Sequence, residues 1–198
     1  MNRTSIENKF GKFLKENFSI SDAELASSLT RFSNLPLKKS EFFVQQDEIC
    51  RSVGFILKGT LRTFYLDDKG EEITSCFCAE NNFSTSFKSF ILQKPSSLSI
   101  QAMEDTELMV IDFDHLQTLY KLSSTWQMIG RVLAEKEYLA MERYASFLNS
   151  ETAKEKYLRL IKEQPAVLNL ARVEDIASYL GVTRRTLSRI RKEISLKN

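Results

Sequence analysis

The chain has 198 residues, 42% of them hydrophobic, and a formal net charge of +2 at pH 7. That length allows one or two domains with a well-packed core, and no apolar run approaches the roughly 18 residues that span a membrane. The basic N-terminus lacks the apolar segment of a secretory signal, and three cysteines, an odd number, argue against a disulfide framework. We therefore expect a soluble protein of the reducing cytoplasm that has no membrane partner.

Residues 4–30 have the apolar spacing of helices. A serine at 21 followed by two acids is typical of a helix start, and Pro36 ends the helical region. The apolar residues that recur at helical intervals are Phe10, Phe13, Leu14, Leu25 and Leu29.

Residues 40–113 change to short runs rich in β-branched and aromatic residues. Turn signals such as Lys58-Gly59 separate the runs at intervals of about ten residues, which is typical of a small antiparallel barrel or jelly roll. A generic β-sandwich is the alternative. The runs are Phe42–Val44, Phe55–Leu57, Leu61–Leu66, Ile73–Phe77, Ser99–Ala102 and Glu107–Ile111.

A helical stretch without proline follows at 123–149. Its apolar and small residues form a seam longer than a single domain needs, which predicts a dimerisation helix, although Lys136 and Arg143 interrupt the seam. The predicted interface residues are Trp126, Ile129, Leu133, Ala140 and Phe147. The alternative is a helix that lies on its own barrel, and the two interpretations are compatible if each uses one face. The large residues suited to the barrel face are Tyr138, Leu139, Tyr144 and Leu148.

Residues 150–164 have the pattern of another helix. Ser150 or Thr152 is suited to cap it, and Pro165 ends it. The next segment, Ala166–Leu170, is short and apolar, and it predicts a β-strand of a winged helix-turn-helix.

The segment 173–192 has the pattern of a helix-turn-helix. Its first helix ends at Gly181, the residue type that most readily adopts the left-handed conformation of a helix terminus. Thr183 is a favoured N-cap for the second helix. The apolar faces of the two helices consist of Ile176, Ala177 and Leu180 on the first and Leu187 and Ile190 on the second.

Basic charge is concentrated at this end of the chain. Residues 170–198 hold seven Lys or Arg against three Asp or Glu, whereas the remainder is slightly acidic. Double-stranded DNA is therefore the predicted partner of the second helix. A solvated cationic helix at the end of a domain is the alternative. The predicted DNA-binding residues are Thr183, Arg184, Arg185, Thr186, Ser188, Arg189 and Lys192.

The sequence TRRTLSR at 183–189 resembles the start of the recognition helix in the CRP/FNR family of bacterial regulators. Arg185 departs from that pattern, because the family usually has Glu there. The segment from Gly54 to Thr74 is similar to the early strands of the family's cyclic-nucleotide-binding β-roll. The resemblance implies a homodimer, with RNA polymerase as a further candidate partner. It also implies an α+β fold with an N-terminal antiparallel β-roll or jelly roll and flanking helices at 1–122, a long dimerisation helix at 123–149 and a C-terminal winged helix-turn-helix at 150–198.

The resemblance also bears on the effector. Family members that bind cyclic AMP hold it with a Gly-Glu pair and with an Arg followed by Ser or Thr, but the matching positions here are serines and a threonine. A buried anion without a cation or several amide donors is costly, so we expect no response to cyclic AMP. The hydroxyl-rich run predicts either a pocket for another small-molecule effector or an ordinary polar loop. The candidate pocket residues are Ser84, Thr85, Ser86, Ser96 and Ser97.

The remaining reactive residues do not form a catalytic pattern. His115 is the single histidine, and the chain has no glycine-rich phosphate loop, so we expect neither an enzyme nor a cofactor. Cys76 and Cys78 share one side of a strand, but two thiolates without further ligands do not hold a cluster. A transcriptional regulator is the main hypothesis. A β-roll that binds a ligand or a protein without binding DNA is the alternative.

Overall fold

A computed structural model describes the backbone of residues 3–196 and the side chains of residues 9–143 and 151–196. Two helices open the described chain, α1 (Arg3–Asn17) and α2 (Asp22–Leu29), as the apolar spacing predicts. Ser21 caps α2, because its side-chain oxygen accepts a hydrogen bond from the backbone N–H of Glu24 at 3.2 Å. The fully buried Phe10 anchors α1 on the strands that follow.

Two antiparallel four-stranded sheets form the body of the N-terminal half, which confirms the predicted jelly roll. The first sheet contains, in spatial order, β1 (Ser33–Leu37), β8 (Thr106–Asp112), β3 (Ser52–Lys58) and β6 (Phe83–Ser84). The second contains β2 (Phe42–Val44), β7 (Ser99–Ala102), β4 (Leu61–Leu66) and β5 (Glu72–Cys78). Their inward faces are fully buried at positions such as Phe55, Leu61 and Leu108, where alternate residues meet in one core.

The sequence did not predict β1 and β6. Pro36 lies inside β1, where the missing N–H is tolerated because β1 is an edge strand paired with β8 alone among the described strands. The second missed strand contains two residues, too few for a period-2 pattern.

Gly59 turns the chain between β3 and β4 with φ +96°, and a Cβ there would lie 2.4 Å from Thr106 Oγ1 and 2.9 Å from Thr106 Cα. Gly59→Ala therefore combines left-handed backbone strain with a clash, and we expect it to lower the free energy of unfolding by about 2–4 kcal/mol. The matched control is Gly70→Ala, because Gly70 has φ +79° but open space around it, so about 1–2 kcal/mol is expected. Urea unfolding followed by the fluorescence of Trp126 measures both, and equal losses would rule out the clash.

Three helices connect the roll to the C-terminal part: α3 (Phe87–Leu92) between β6 and β7, then α4 (Phe113–Leu122) and the long α5 (Ser124–Ser150). Asp112 caps α4 by accepting from the backbone N–H of His115 at 2.8 Å. Ser123 caps α5 by accepting from the backbone N–H of Trp126 at 3.1 Å. Within the described part of the chain, no helix has both the length and the apolar character needed to cross a bilayer.

The described residues of the C-terminal part form four helices: α6 (Ala153–Glu163), α7 (Val167–Leu170), α8 (Val173–Leu180) and α9 (Arg184–Ser195). Thr152 and Glu155 form a capping box at the start of α6. The strand predicted at Ala166–Leu170 is wrong, because this segment is the helical turn α7. Val167 is buried among the neighbouring helices, so tertiary packing decides the conformation of this short apolar run. Among the described residues, no strand follows β8 to act as a wing.

Buried apolar side chains form two clusters. The first fills the roll and takes in α1, α2, α4 and the start of α5. The second joins α6 to α9, but it also includes Phe77 of β5 and Met103, which follows β7. The helices of the C-terminal part therefore share a core with one edge of the roll.

Candidate nucleic-acid interface and effector region

The residues 173–195 form the helix-turn-helix that the sequence predicts. Gly181 ends α8 in the left-handed conformation, with φ +69°. The turn closes when the N–H of Val182 donates to the carbonyl of Ala177 at 2.9 Å. Thr183 then caps α9 by accepting from the N–H of Thr186 at 3.2 Å. The two helices pack through buried apolar residues, Ile176, Ala177 and Leu180 of α8 and Leu187 and Ile190 of α9.

The opposite face of α9 is basic and open to solvent. Thr186 is half-buried, while the other predicted DNA-binding side chains are exposed: Thr183, Arg184, Arg185, Ser188, Arg189 and Lys192. The first turn of α9 contains no acid, so its N-terminal N–H groups and the cations together form an anion-binding end. This arrangement can contact a phosphate backbone and base edges at the same time.

Two of the arginines on this face have acidic neighbours. Arg184 Nη1 lies 2.9 Å from Glu174 Oε1, and Arg189 Nε lies 4.0 Å from Glu193 Oε1. Exposed ion pairs of this kind are worth about 0–1 kcal/mol, so both guanidinium groups can exchange these partners for DNA. Arg191 behaves differently, because its Nε donates to the hydroxyl of Tyr157 at 3.1 Å and its guanidinium lies over that ring.

The hydroxyls predicted to line an effector pocket are mostly engaged inside the protein. The buried Ser86 and Ser96 have their Oγ atoms 2.8 Å apart, and Ser96 also donates to the carbonyl of Leu98 at 2.7 Å. Thr85 donates to the carbonyl of Ser52 at 3.0 Å. These hydroxyls therefore stabilise the loops on either side of α3, and a pocket at Thr85, Ser86 and Ser96 stays a prediction.

The other two predicted pocket residues differ in exposure. Ser84 is buried in β6, and Ser97 is exposed. Two cations near α3, Lys88 and Lys94, are also exposed. The position that the family resemblance assigns to an arginine is thus occupied by the buried Ser96, which exposes 1% of its surface.

The start of α5 lies on its own roll and not at a free surface. Trp126 exposes 2% and Ile129 1%, and the indole Nε1 of Trp126 donates to Ser28 Oγ at 2.7 Å. The dimer prediction is therefore wrong for these two residues, since their side chains already fill the core. Leu133 is half-buried against the same cluster, and Ala140 is exposed. The side chain of Phe147 lies outside the described residues.

Three large apolar side chains farther along α5 are exposed instead. Tyr138 exposes 69%, Leu139 46% and Met141 64%. The sequence suggested the barrel face for Tyr138 and Leu139, and the structure corrects that assignment. The side of α5 that faces the barrel is instead the one with Trp126, whose ring packs on Phe32 with centroids 5.5 Å apart.

The cysteines and the histidine occupy unrelated positions. Burial raises the pKa of the Cys78 thiol, so the protonated form is favoured at neutral pH. His115 lies exposed on α4, with its Nδ1 2.8 Å from Asp112 Oδ2. In the part of the chain that the structure describes, no three His, Cys, Asp or Glu residues are grouped so that they could hold a metal ion.

Comparisons with known proteins agree with this architecture. A family model described as a cyclic nucleotide-binding domain matches residues 35–123. The transcriptional activator protein Anr of Pseudomonas protegens is 30% identical over 168 residues, which cover 78% of this chain and 67% of Anr. The regulatory protein HlyX of Actinobacillus pleuropneumoniae is 26% identical over 190 residues, which cover 87% of this chain and 76% of HlyX.

Among solved structures, FixK2 from Bradyrhizobium japonicum has a TM-score of 0.72 at 19% identity, covering 84% of this chain and 85% of FixK2. That likeness shows a shared fold, and the 30% identity to Anr over two thirds of its length adds common ancestry. The predicted family membership is thereby confirmed. The chain belongs to the CRP/FNR family of transcriptional regulators.

Proposed function

We propose that this regulator binds a two-fold-symmetric DNA site as a homodimer and reads base edges with α9. The observation that carries the proposal is the basic face of α9, which is exposed while Leu187 and Ile190 hold its apolar face on α8. A dimer with a two-fold axis would place two such helices in successive major grooves, about 34 Å apart. The proposed contact residues are Thr183, Arg184, Arg185, Thr186, Ser188, Arg189 and Lys192.

Within this face, Arg184 and Arg189 are the proposed base readers. Bidentate contact of arginine with guanine O6 and N7 is the commonest specific contact in the major groove. Arg185 replaces the family's glutamate, which would accept a hydrogen bond from cytosine N4, and arginine has no acceptor. The preferred half-site therefore differs from the usual half-site of the family.

Selection of binding sites from random double-stranded DNA by the purified protein tests the proposal. The expected result is an inverted repeat with half-site centres one helical turn apart, bound with an affinity that falls steeply with salt. A β-roll module without DNA-binding activity would enrich no sequence and show no salt dependence. Either of those results would contradict the proposal.

The dimer is proposed to form along the exposed part of α5, residues 135–143, in which Tyr138, Leu139 and Met141 are the large apolar side chains. Leu139→Glu would bring two carboxylates close to the two-fold axis, and like charges at an interface cost several kcal/mol. We expect a dimer dissociation constant at least tenfold higher, measured by sedimentation equilibrium. Leu122→Glu is the matched control, because Leu122 is an equally apolar, exposed residue at the end of α4. Equal dissociation constants for wild type and Leu139→Glu would exclude Leu139 from the dimer interface.

Cyclic AMP is proposed not to be the effector. The position of the phosphate-binding arginine holds the buried Ser96, and the glutamate position holds Thr85, whose hydroxyl is bonded to the backbone. Calorimetry is expected to detect no binding of cyclic AMP, and melting temperature should not rise with its concentration. A dissociation constant in the low micromolar range would overturn this, and Lys88→Ala would then test a substitute cation.

The proposed division of the chain is a roll with its helices at 1–122, the dimerisation helix at 123–149 and the DNA-binding part at 150–198. The second apolar cluster supports the last boundary, because all of its buried residues except Phe77 and Met103 lie in α6 to α9. RNA polymerase and an unassigned small-molecule effector stay predicted partners.

A further inference from the structure

Arg62 of β4 is a charged residue that exposes 2% of its surface. Its guanidinium donates to two carboxylates, Asp175 of α8 and Glu72 of β5. Asp175 exposes 6%, so the contact between Arg62 and Asp175 is shielded from water. A buried charge is tolerated when it is paired and hydrogen-bonded, and its partner becomes costly when left alone. The roll and the helix-turn-helix are therefore joined by a buried ion pair.

A second arginine closes this group into a quartet of two positive and two negative charges. Arg172 Nη2 lies 2.7 Å from Asp175 Oδ1 and 3.0 Å from Glu72 Oε2, and Arg172 Nε donates to Asp175 Oδ2 at 3.0 Å. The backbone N–H of Arg172 also donates to Asp175 Oδ2 at 3.2 Å, which fixes the first turn of α8. The hydrogen bond with Asp175 raises the pKa of the Arg172 guanidinium. Both arginines therefore meet the same two carboxylates.

Further contacts nearby hold the rest of α8 against β5. The backbone N–H of Thr74 donates to Ser178 Oγ at 3.1 Å. The rings of Phe77 and Tyr179 have centroids 5.2 Å apart. Since β5 is the edge strand of its sheet, α8 covers an edge whose N–H groups would otherwise need water. The quartet thus lies at one end of a continuous contact between β5 and α8.

We propose that Arg62 is a positioning residue, which through Asp175 holds α8, and hence α9, at one fixed orientation to the roll. This inference rests on the proposed DNA-binding function. In the docked arrangement the basic face of α9 stays exposed, so docking presents that face to DNA. In a dimer, a fixed orientation sets the distance between the two α9 helices. Both half-sites can then be engaged without a further loss of orientational freedom.

The test uses the full chain and compares Arg62→Met with wild type. Hydrogen exchange is expected to become faster in both 72–78 and 173–180, because the two segments protect each other. On DNA selected by the wild-type protein, affinity for the two-half-site DNA should fall at least tenfold, while affinity for a single half-site should change less than twofold. A merely structural defect in the helix-turn-helix would lower both affinities equally. Lys38→Met is the matched control, because the ion pair of Lys38 with Asp105 is exposed and lies within the roll.

Arg172→Met is a second variant that tests the proposal even if Arg62→Met does not fold. The side chain of Arg172 is 63% exposed, so it can be removed without opening the roll, and the same changes are expected at smaller size. Unchanged hydrogen exchange in both variants would overturn the proposal. A rise in affinity for the two-half-site DNA would also overturn it, since the docked orientation would then be the inactive one. If the wild-type protein selects no DNA site, the proposed function is wrong. Hydrogen exchange then still shows whether Arg62 holds α8 against the roll.

Discussion

Arg189→Ala is expected to reduce the preference for the selected half-site over scrambled DNA by about 1–3 kcal/mol, which is roughly five- to 150-fold. Arg189 lies on the exposed basic face of α9, and its pair with Glu193 is long and solvent-exposed, so the guanidinium is free to reach a base. A competition binding assay at fixed salt with selected and scrambled duplexes measures the change.

Lys192→Ala is the control for Arg189→Ala. Lys192 is exposed one helical turn farther from the N-terminus of α9, where a phosphate contact is expected. Its removal should weaken all DNA about equally and reduce the slope of log affinity against log salt by about one. Should Arg189→Ala leave the sequence preference unchanged, α9 does not dock on DNA as proposed.

Trp126→Ala is expected to lower the free energy of unfolding of the roll by about 3–5 kcal/mol. The indole is almost fully buried, packs on Phe32 and donates to Ser28 Oγ, so its removal leaves a cavity where α5 meets the roll. Urea unfolding followed by circular dichroism measures the loss, since the chain has a single tryptophan.

Trp126→Phe separates the two roles that the sequence allowed for this residue. It keeps an aromatic ring against Phe32 and removes one hydrogen bond, so a loss of about 1 kcal/mol is expected. The dimer dissociation constant should stay the same, because Trp126 faces its own core. A weaker dimer at unchanged stability would show that Trp126 does contribute to the dimer interface.

The helix-turn-helix could be predicted almost residue by residue because its signals are local. A left-handed glycine at 181, an N-cap at Thr183 and the spacing of Leu187 and Ile190 specify the turn and both apolar faces within some twenty residues. The roll was predicted as a class for a similar reason, since alternation and turn residues are also local.

The predictions for α5 failed because the sequence does not show which other part of the chain packs on each face of a helix. Apolar spacing in α5 showed that Trp126, Ile129 and Leu139 are hydrophobic, but not that the first two pack on the roll while the third is exposed. The hydroxyl-rich composition around α3 predicts either a pocket or a polar loop, and it does not reveal that Ser86 and Ser96 are hydrogen-bonded to each other.

The contact between Arg62 and Asp175 joins residues 113 positions apart, which no local pattern reports. A signal did exist in β4: alternation places Arg62 on the same face as the buried Phe64, whose ring centroid lies 4.1 Å from the guanidinium carbon. A charged residue on a buried strand face predicts a partner from elsewhere in the chain.

The division of α9 into a buried apolar face and an exposed basic face has a practical consequence for protein engineering. Leu187 and Ile190 fix the helix, while Arg184, Arg185 and Arg189 contribute little to that packing because their side chains project into solvent. Surface substitutions away from such packing usually change stability by less than about 0.5 kcal/mol. A library randomised at these three positions should therefore consist largely of folded variants, which can be screened for altered sequence preference under the proposed function.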